Sequence, residues 1–140
     1  IGHDKTNQLR HVLYFKDMDG IKAHMSKQAA LIRPKFDMLD ELLTKEAASR
    51  GIGTWIKPMG GYFIGFKALP GCAKDIVAKC KEAGVVLTGA GSPFPYKKDP
   101  EDSVIRIAPT FPSLEELTKA AQVFVTVTRL VSVNKILENK

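Results

Sequence analysis

The chain has 140 residues, 44% hydrophobic and 26% charged, enough for one ordinary domain with its own core and unlike a disordered or low-complexity polymer. Its net charge of +6 comes from 16 Lys and five Arg set among 15 acids, as in Lys81-Glu82 and Lys97-Lys98-Asp99, and reads as a solvated surface rather than a nucleic-acid groove. Apolar runs of a few residues fall short of the ~20 needed to cross a bilayer, which argues against a membrane-spanning helix.

Two cysteines, Cys72 and Cys80, are too few for a disulfide scaffold and match no zinc spacing. Reduced thiols in a cytoplasmic protein are the plain reading. The chain opens on Ile1 rather than Met, and no apolar segment of the signal-peptide kind follows. It is therefore expected to be a segment of something longer.

Asp4 is a good N-cap for a first helix reaching Lys16, with Leu9, Val12 and Leu13 at helical spacing. Asp17-Met18-Asp19-Gly20 breaks it. A second helical region spans about Ile21 to Arg50, where Ile32, Phe36, Leu39, Leu43 and Ala47 form one apolar stripe. Pro34 sits inside it, so the helix either kinks there or restarts with Pro in its first turn. Thr54 to Lys57 and Tyr62 to Phe66 flank Pro58-Met59-Gly60-Gly61 and predict a hairpin, with Trp55, Tyr62 and Phe63 in its core.

Pro70-Gly71 opens a third helix from Ala73 to Ala83, with Gly84 as its left-handed C′ residue. Val85 to Thr88 reads as a buried strand, Gly89 to Asp102 as a loop, and Ser103 to Ala108 as the next strand. Ser113-Leu114-Glu115-Glu116 is a capping box for a last helix running toward Leu137. Val123 to Thr128 is β-branched and favours a strand by propensity. The cap and the apolar series Leu117, Ala121, Phe124, Thr128 and Val131 favour the helix. The sum is an α/β (α+β) fold of order α-α-β-β-α-β-β-α, a small mixed or antiparallel sheet with helices packed on one face.

Few motifs suggest chemistry. Asp17-Met18-Asp19-Gly20 imitates the nucleophile loop of haloacid-dehalogenase-type phosphatases, but no downstream acidic pair follows. It also fails the EF-hand spacing and reads as an inter-helix turn. His3, His11 and His24 share no metal spacing, and His24 and Lys27 are expected in solvent on a helix. Gly89-Ala90-Gly91-Ser92 lacks the rest of a phosphate loop. Arg106 stands apart, in the middle of the apolar run Val104 to Ala108. It is either a solvent-facing residue of a half-buried strand or a guanidinium fork held on a rigid strand to grip a carboxylate.

Gly60-Gly61-Tyr62-Phe63 after a Pro, Glu82-Ala83-Gly84-Val85 leading a strand, a Gly/Pro loop, and Ser103 to Pro109 ahead of a capped helix together resemble the small C-terminal domain of fold-type I aminotransferases. These are pyridoxal-phosphate enzymes of the aspartate aminotransferase class. Asp4 to His11, Ile32-Arg33-Pro34-Lys35-Phe36 and Ile105 to Pro112 more narrowly resemble a bacterial subgroup of aspartate aminotransferases. The resemblance implies that residues 1–20 are a leading helix left from the connection to a large domain. It makes 21–50 a linking helix and 51–140 the small domain.

It implies that Arg106 binds the α-carboxylate of an amino-acid substrate. No residue here matches the family's Schiff-base Lys, because Ser26-Lys27 sits in the wrong frame. Catalytic, cofactor-binding and metal residues are accordingly not expected within the chain, and pyridoxal phosphate is expected in the full-length parent only. That parent would act on an amino acid and a 2-oxo acid, carry a large domain absent here, and form a homodimer. The isolated chain is expected to be inactive. A stand-alone ligand-binding or protein-interaction module is the alternative that the same order of elements allows. No nucleic-acid or membrane partner is expected.

Overall fold

The computed structural model describes residues 2–138; the reading attached to Ile1 lies outside them. Helix α1, Lys5–Phe15, starts as its sequence dictates, with Asp4 accepting a hydrogen bond from the Asn7 N–H at 3.1 Å. Helix α2 is Met18–Glu46. Its cap is Asp17, whose carboxylate accepts from the Gly20 N–H at 2.9 Å, so the break between the helices falls at Lys16 and Asp17, and Met18 to Gly20 form the first turn of α2 rather than a turn ahead of the expected start at Ile21. Pro34 lies inside a single helix and starts no new one. It has no N–H to give the Ala30 carbonyl, and the chain divides into two compact units between Pro34 and Lys35.

In the first unit, His24 is half-buried, contrary to the expectation of free solvent exposure. Its ring meets Tyr14 and Phe15 edge-on at 5.8 and 5.3 Å. Lys27 is exposed.

The second unit is built on a three-stranded antiparallel sheet in the order β1-β2-β3. These strands are β1, Gly53–Trp55; β2, Ile64–Ala68; and β3, Val104–Ile107. Gly53 pairs with Ala68 and Trp55 with Phe66, which is the hairpin expected. The connecting segment is longer than a tight turn, and Tyr62 and Phe63 fall outside the strand. They are 65% and 45% exposed, not core. Ile64, Phe66 and Ala68 of β2 and Ile105 and Ile107 of β3 face inward. Helix α3, Ala73–Glu82, adds buried Ile76 and Cys80 and is followed by Gly84 at φ +86°.

Helix α4, Leu114–Glu138, begins at the capping box. Ser113 N–H donates to Glu116 at 2.9 Å, and Glu116 N–H donates to the Ser113 hydroxyl at 3.2 Å. Helix prevails over the β-branched run because every residue of the apolar series, Leu117, Ala121, Phe124, Thr128 and Val131, is buried. The α2 residues Leu39 and Leu43 join the same core, with Ala47 just beyond the helix. By length and mean hydropathy (1.2 over its most apolar window) α4 could span a bilayer, which the short apolar runs did not suggest. Its buried residues are core: Phe124 meets Phe66 edge-on at 5.2 Å.

The element order matches the α/β expectation in its four helices and small antiparallel sheet. One expected strand is corrected. Val85 to Thr88 joins no ladder, and Val86 is 81% exposed. A run of four residues is too short for periodicity to tell a buried strand from an extended connection. The segment is tied to the sheet through a side chain instead, since the Thr88 hydroxyl donates to the Arg106 carbonyl at 2.6 Å.

Candidate functional site

Strand alternation decides where Arg106 points. Ile105 and Ile107 enter the core, so Val104 and Arg106 occupy the opposite face of the sheet, beside Gly65 and Lys67 of β2. In the register Arg106 stands directly across from Gly65. A Cβ added at Gly65 would meet no atom within 4 Å, and the backbone there is not at positive φ. Neither packing nor conformation therefore requires glycine at that position. Its effect is to leave the flank of Arg106 open, as strand glycines often do where a ligand approaches.

The Arg106 guanidinium rests on an aromatic face: its Cζ lies 4.4 Å from the centroid of the Phe63 ring. Among the described residues it enters no ion pair. Its Nε is buried with no hydrogen-bond partner. A buried Arg is normally paired, and an unsatisfied buried donor costs about 1–3 kcal/mol. The pattern is that of a cation held in place and left uncompensated.

Both ends of β3 are fixed. On the entering side, one Asp99 carboxylate oxygen accepts from Ser103 N–H and Val104 N–H at 2.8 Å each, and the other accepts from Glu101 N–H at 3.1 Å. Burial opposes ionisation of Asp99, but the backbone donors outweigh it and hold its carboxyl below the usual range. On the leaving side, the Lys35 ammonium donates to the carbonyls of Thr110 and Pro112 at 2.8 and 2.5 Å. These contacts pin the loop between β3 and α4. Arg106 thus projects from a strand anchored two residues before it and four residues after it.

The other candidates from the sequence gather no chemistry. Among the described residues no group of three or more His, Cys, Asp or Glu could hold a metal ion. Cys72 and Cys80 are free and buried, and burial pushes the Cys80 thiol up to about 11. Gly89 to Ser92 is a turn in which Gly91 adopts φ +78°. Phe63 and Gly65 were missed as site residues. The signal available was their two-residue spacing on the face that alternation assigns to Arg106.

A cavity of about 420 Å³ lies on the core side, bounded by Leu39, Leu87, Ile107, Leu117 and Phe124. Thr88 is the polar side chain in its wall, and its hydroxyl is already committed to Arg106. With no ammonium, guanidinium or carboxylate in that wall, the cavity does not fit a phosphorylated pyridine.

A family model described as "Aspartate amino-transferase" matches residues 1–140. The chain belongs to the aspartate aminotransferase family. It is 46% identical over 120 residues to an aspartate aminotransferase of Corynebacterium glutamicum, covering 86% of this chain and 28% of the relative. A solved aspartate transaminase from Corynebacterium glutamicum superposes with a TM-score of 0.92 at 42% identity, over 96% of this chain and 32% of that one. An alpha-aminoadipate aminotransferase from Thermus thermophilus shares the fold, with a TM-score of 0.68 at 16% identity over 81% of this chain and 28% of that one. That protein was solved in complex with N-(5'-phosphopyridoxyl)-L-leucine. The chain spans about a third of the length of the curated relatives it matches. It is therefore an aminotransferase-family domain corresponding to part of a larger aminotransferase.

Proposed function

We propose that this domain supplies the substrate-carboxylate clamp and one mobile wall of the active site in a pyridoxal-phosphate-dependent aminotransferase, with Arg106 as the clamp. The observation that carries the reading is an Arg on a rigid strand, half-buried, without an acidic partner among the described residues and with one flank open at Gly65. A guanidinium presents paired N–H donors in a plane that match the two oxygens of a carboxylate. The parent would exchange an amino group between an amino acid and a 2-oxo acid, both of which carry such a carboxylate. Its cofactor would be held by the remaining polypeptide, and closure of the small domain would exclude water. By this reading the isolated chain does not transaminate and the parent is a homodimer.

The test is Arg106→Ala in the full-length parent. One charge-assisted hydrogen bond is worth roughly 1.5–3 kcal/mol, so KM for the amino acid should rise roughly 10-fold to 150-fold. An unchanged KM would remove Arg106 from substrate binding.

A further inference from the structure

We propose that Phe63 is a positioning residue for the clamp, and the proposal rests on the reading of Arg106 given above. The Phe63 ring takes the place that an acidic side chain usually fills beside a half-buried Arg. It orients the guanidinium through its face and leaves the hydrogen-bonding edges free for a ligand carboxylate.

The separation of 4.4 Å from Cζ to ring centroid is well inside the ~6 Å within which a guanidinium is attracted to a ring face. The chemical distinction lies in which part of the guanidinium each partner occupies. An Asp or Glu accepts in-plane N–H bonds, uses up the fork and cancels the charge. A substrate carboxylate would then have to displace it. A ring binds from above the plane and accepts none of the five in-plane N–H donors. The cation keeps both its charge and its fork while losing rotamer freedom.

The placement follows from the strand. Phe63 immediately precedes β2, two residues before Gly65, so it shares the face of Gly65 and is the diagonal neighbour of Arg106. No side chain at Gly65 intrudes beside that contact. This also accounts for an aromatic residue that is 45% exposed on an otherwise sparse face, where a polar residue would be the default. The buried, unpartnered Nε of Arg106 is a second observation pointing the same way, since a ring face leaves that in-plane N–H unmet.

The experiment uses the full-length parent and propanoate, a monocarboxylate without an amino group, as a competitive probe. Phe63→Leu keeps the apolar bulk and removes the ring face, whereas Phe63→Tyr keeps the face. Phe63→Met, also without a ring, serves if the Leu variant does not accumulate. Phe63→Leu should raise the Ki for propanoate and the KM for the amino acid roughly 3-fold to 30-fold, with a smaller change in kcat. Phe63→Tyr should restore both. A purely structural role would lower the urea midpoint without that split between KM and kcat and without rescue by Tyr.

Arg106→Ala separates the two ideas. If it leaves the propanoate Ki unchanged, the clamp reading fails, and this proposal with it. If it raises Ki while Phe63→Leu and Phe63→Met leave Ki within twofold, or if Phe63→Tyr does not restore it, the clamp stands and the role of Phe63 is overturned.

Discussion

Gly53 is where a single methyl group would test the packing of the sheet. It opens β1, diagonal to Phe66 on the inward face, and a Cβ built there falls on the Phe66 ring, 2.6 Å from Cε2 and 3.1 Å from Cε1. Phe66 cannot swing aside easily. It is fully buried, stacked on Trp55 at 6.3 Å and edge-on to Phe124 at 5.2 Å. Overpacking of this kind costs about 1–3 kcal/mol. Alanine recovers roughly 0.5–1 kcal/mol over glycine within a strand, so Gly53→Ala should lose about 1–2 kcal/mol net. Phe66→Leu should be destabilising alone because it leaves a partial cavity and breaks two aromatic contacts.

In the double variant the methyl occupies space the ring has vacated. The two costs should therefore be less than additive by about 1 kcal/mol or more, well beyond the ~0.3–0.5 kcal/mol scatter of independent sites. Trp55 is the sole Trp and sits against Phe66, so its fluorescence through a urea titration reads all four members of the cycle. Strict additivity, or a Gly53→Ala midpoint equal to that of the parent sequence, would refute the account of this contact.

Gly65→Ala should behave in the opposite way. Its added methyl enters open space at ordinary φ, so the domain should gain roughly 0.5–1 kcal/mol. In the full-length parent the same methyl narrows the approach to Arg106 and should raise KM for the amino acid; a lower stability or an unchanged KM would each count against the site as drawn. Glu116 provides the pH dependence. The Ser113 backbone N–H, then the Ser113 hydroxyl, hold its carboxyl below the ordinary 4.5. A depressed folded-state value means that this stabilisation is complete above pH 4.5 and is lost as pH falls through the lower folded value. Ser113→Ala should shorten that acid limb in urea melts at pH 3–5 and cost about 1 kcal/mol at pH 7 through the lost cap; an acid limb unchanged by the substitution would contradict this.

Local signals were legible wherever one residue suffices to make them. Asp4 and Ser113 with Glu116 each fix a helix start by satisfying backbone groups that no neighbour can reach, and Gly84 ends α3 by adopting the left-handed conformation. The inward face of α4 was legible because its spacing of three and four persists over four turns and outweighs the β-branched run at Val123 to Thr128. Failures came where the pattern was short or the partner distant. Val85 to Leu87 is apolar without being strand. Tyr62 and Phe63 look like hairpin core only until the register moves β2 to Ile64. Arg106 could be assigned to a face by alternation, but its lack of an acidic neighbour is a fact of three-dimensional placement. The same holds for the Lys35 contacts, which join residues 75 and 77 positions apart.

The site is also where the domain departs from what stability alone would select. A β-branched residue at Gly65 would strengthen the strand, an acid near Arg106 would satisfy its charge, and a polar residue at Phe63 would suit an exposed position. None of the three is present, and both named positions, Gly65 and Phe63, adjoin the one guanidinium. Independent lapses would be expected to scatter over the surface. The two other arginines of the second unit do find an acid, since Arg50 and Arg129 both reach Glu46, at 3.1 and 3.5 Å. Where local rules fail together around a single group, the economical cause is a demand made by something outside the fold, because natural sequences keep such inconsistencies mainly at functional sites. A carboxylate arriving at Arg106 is the simplest demand that accounts for all three.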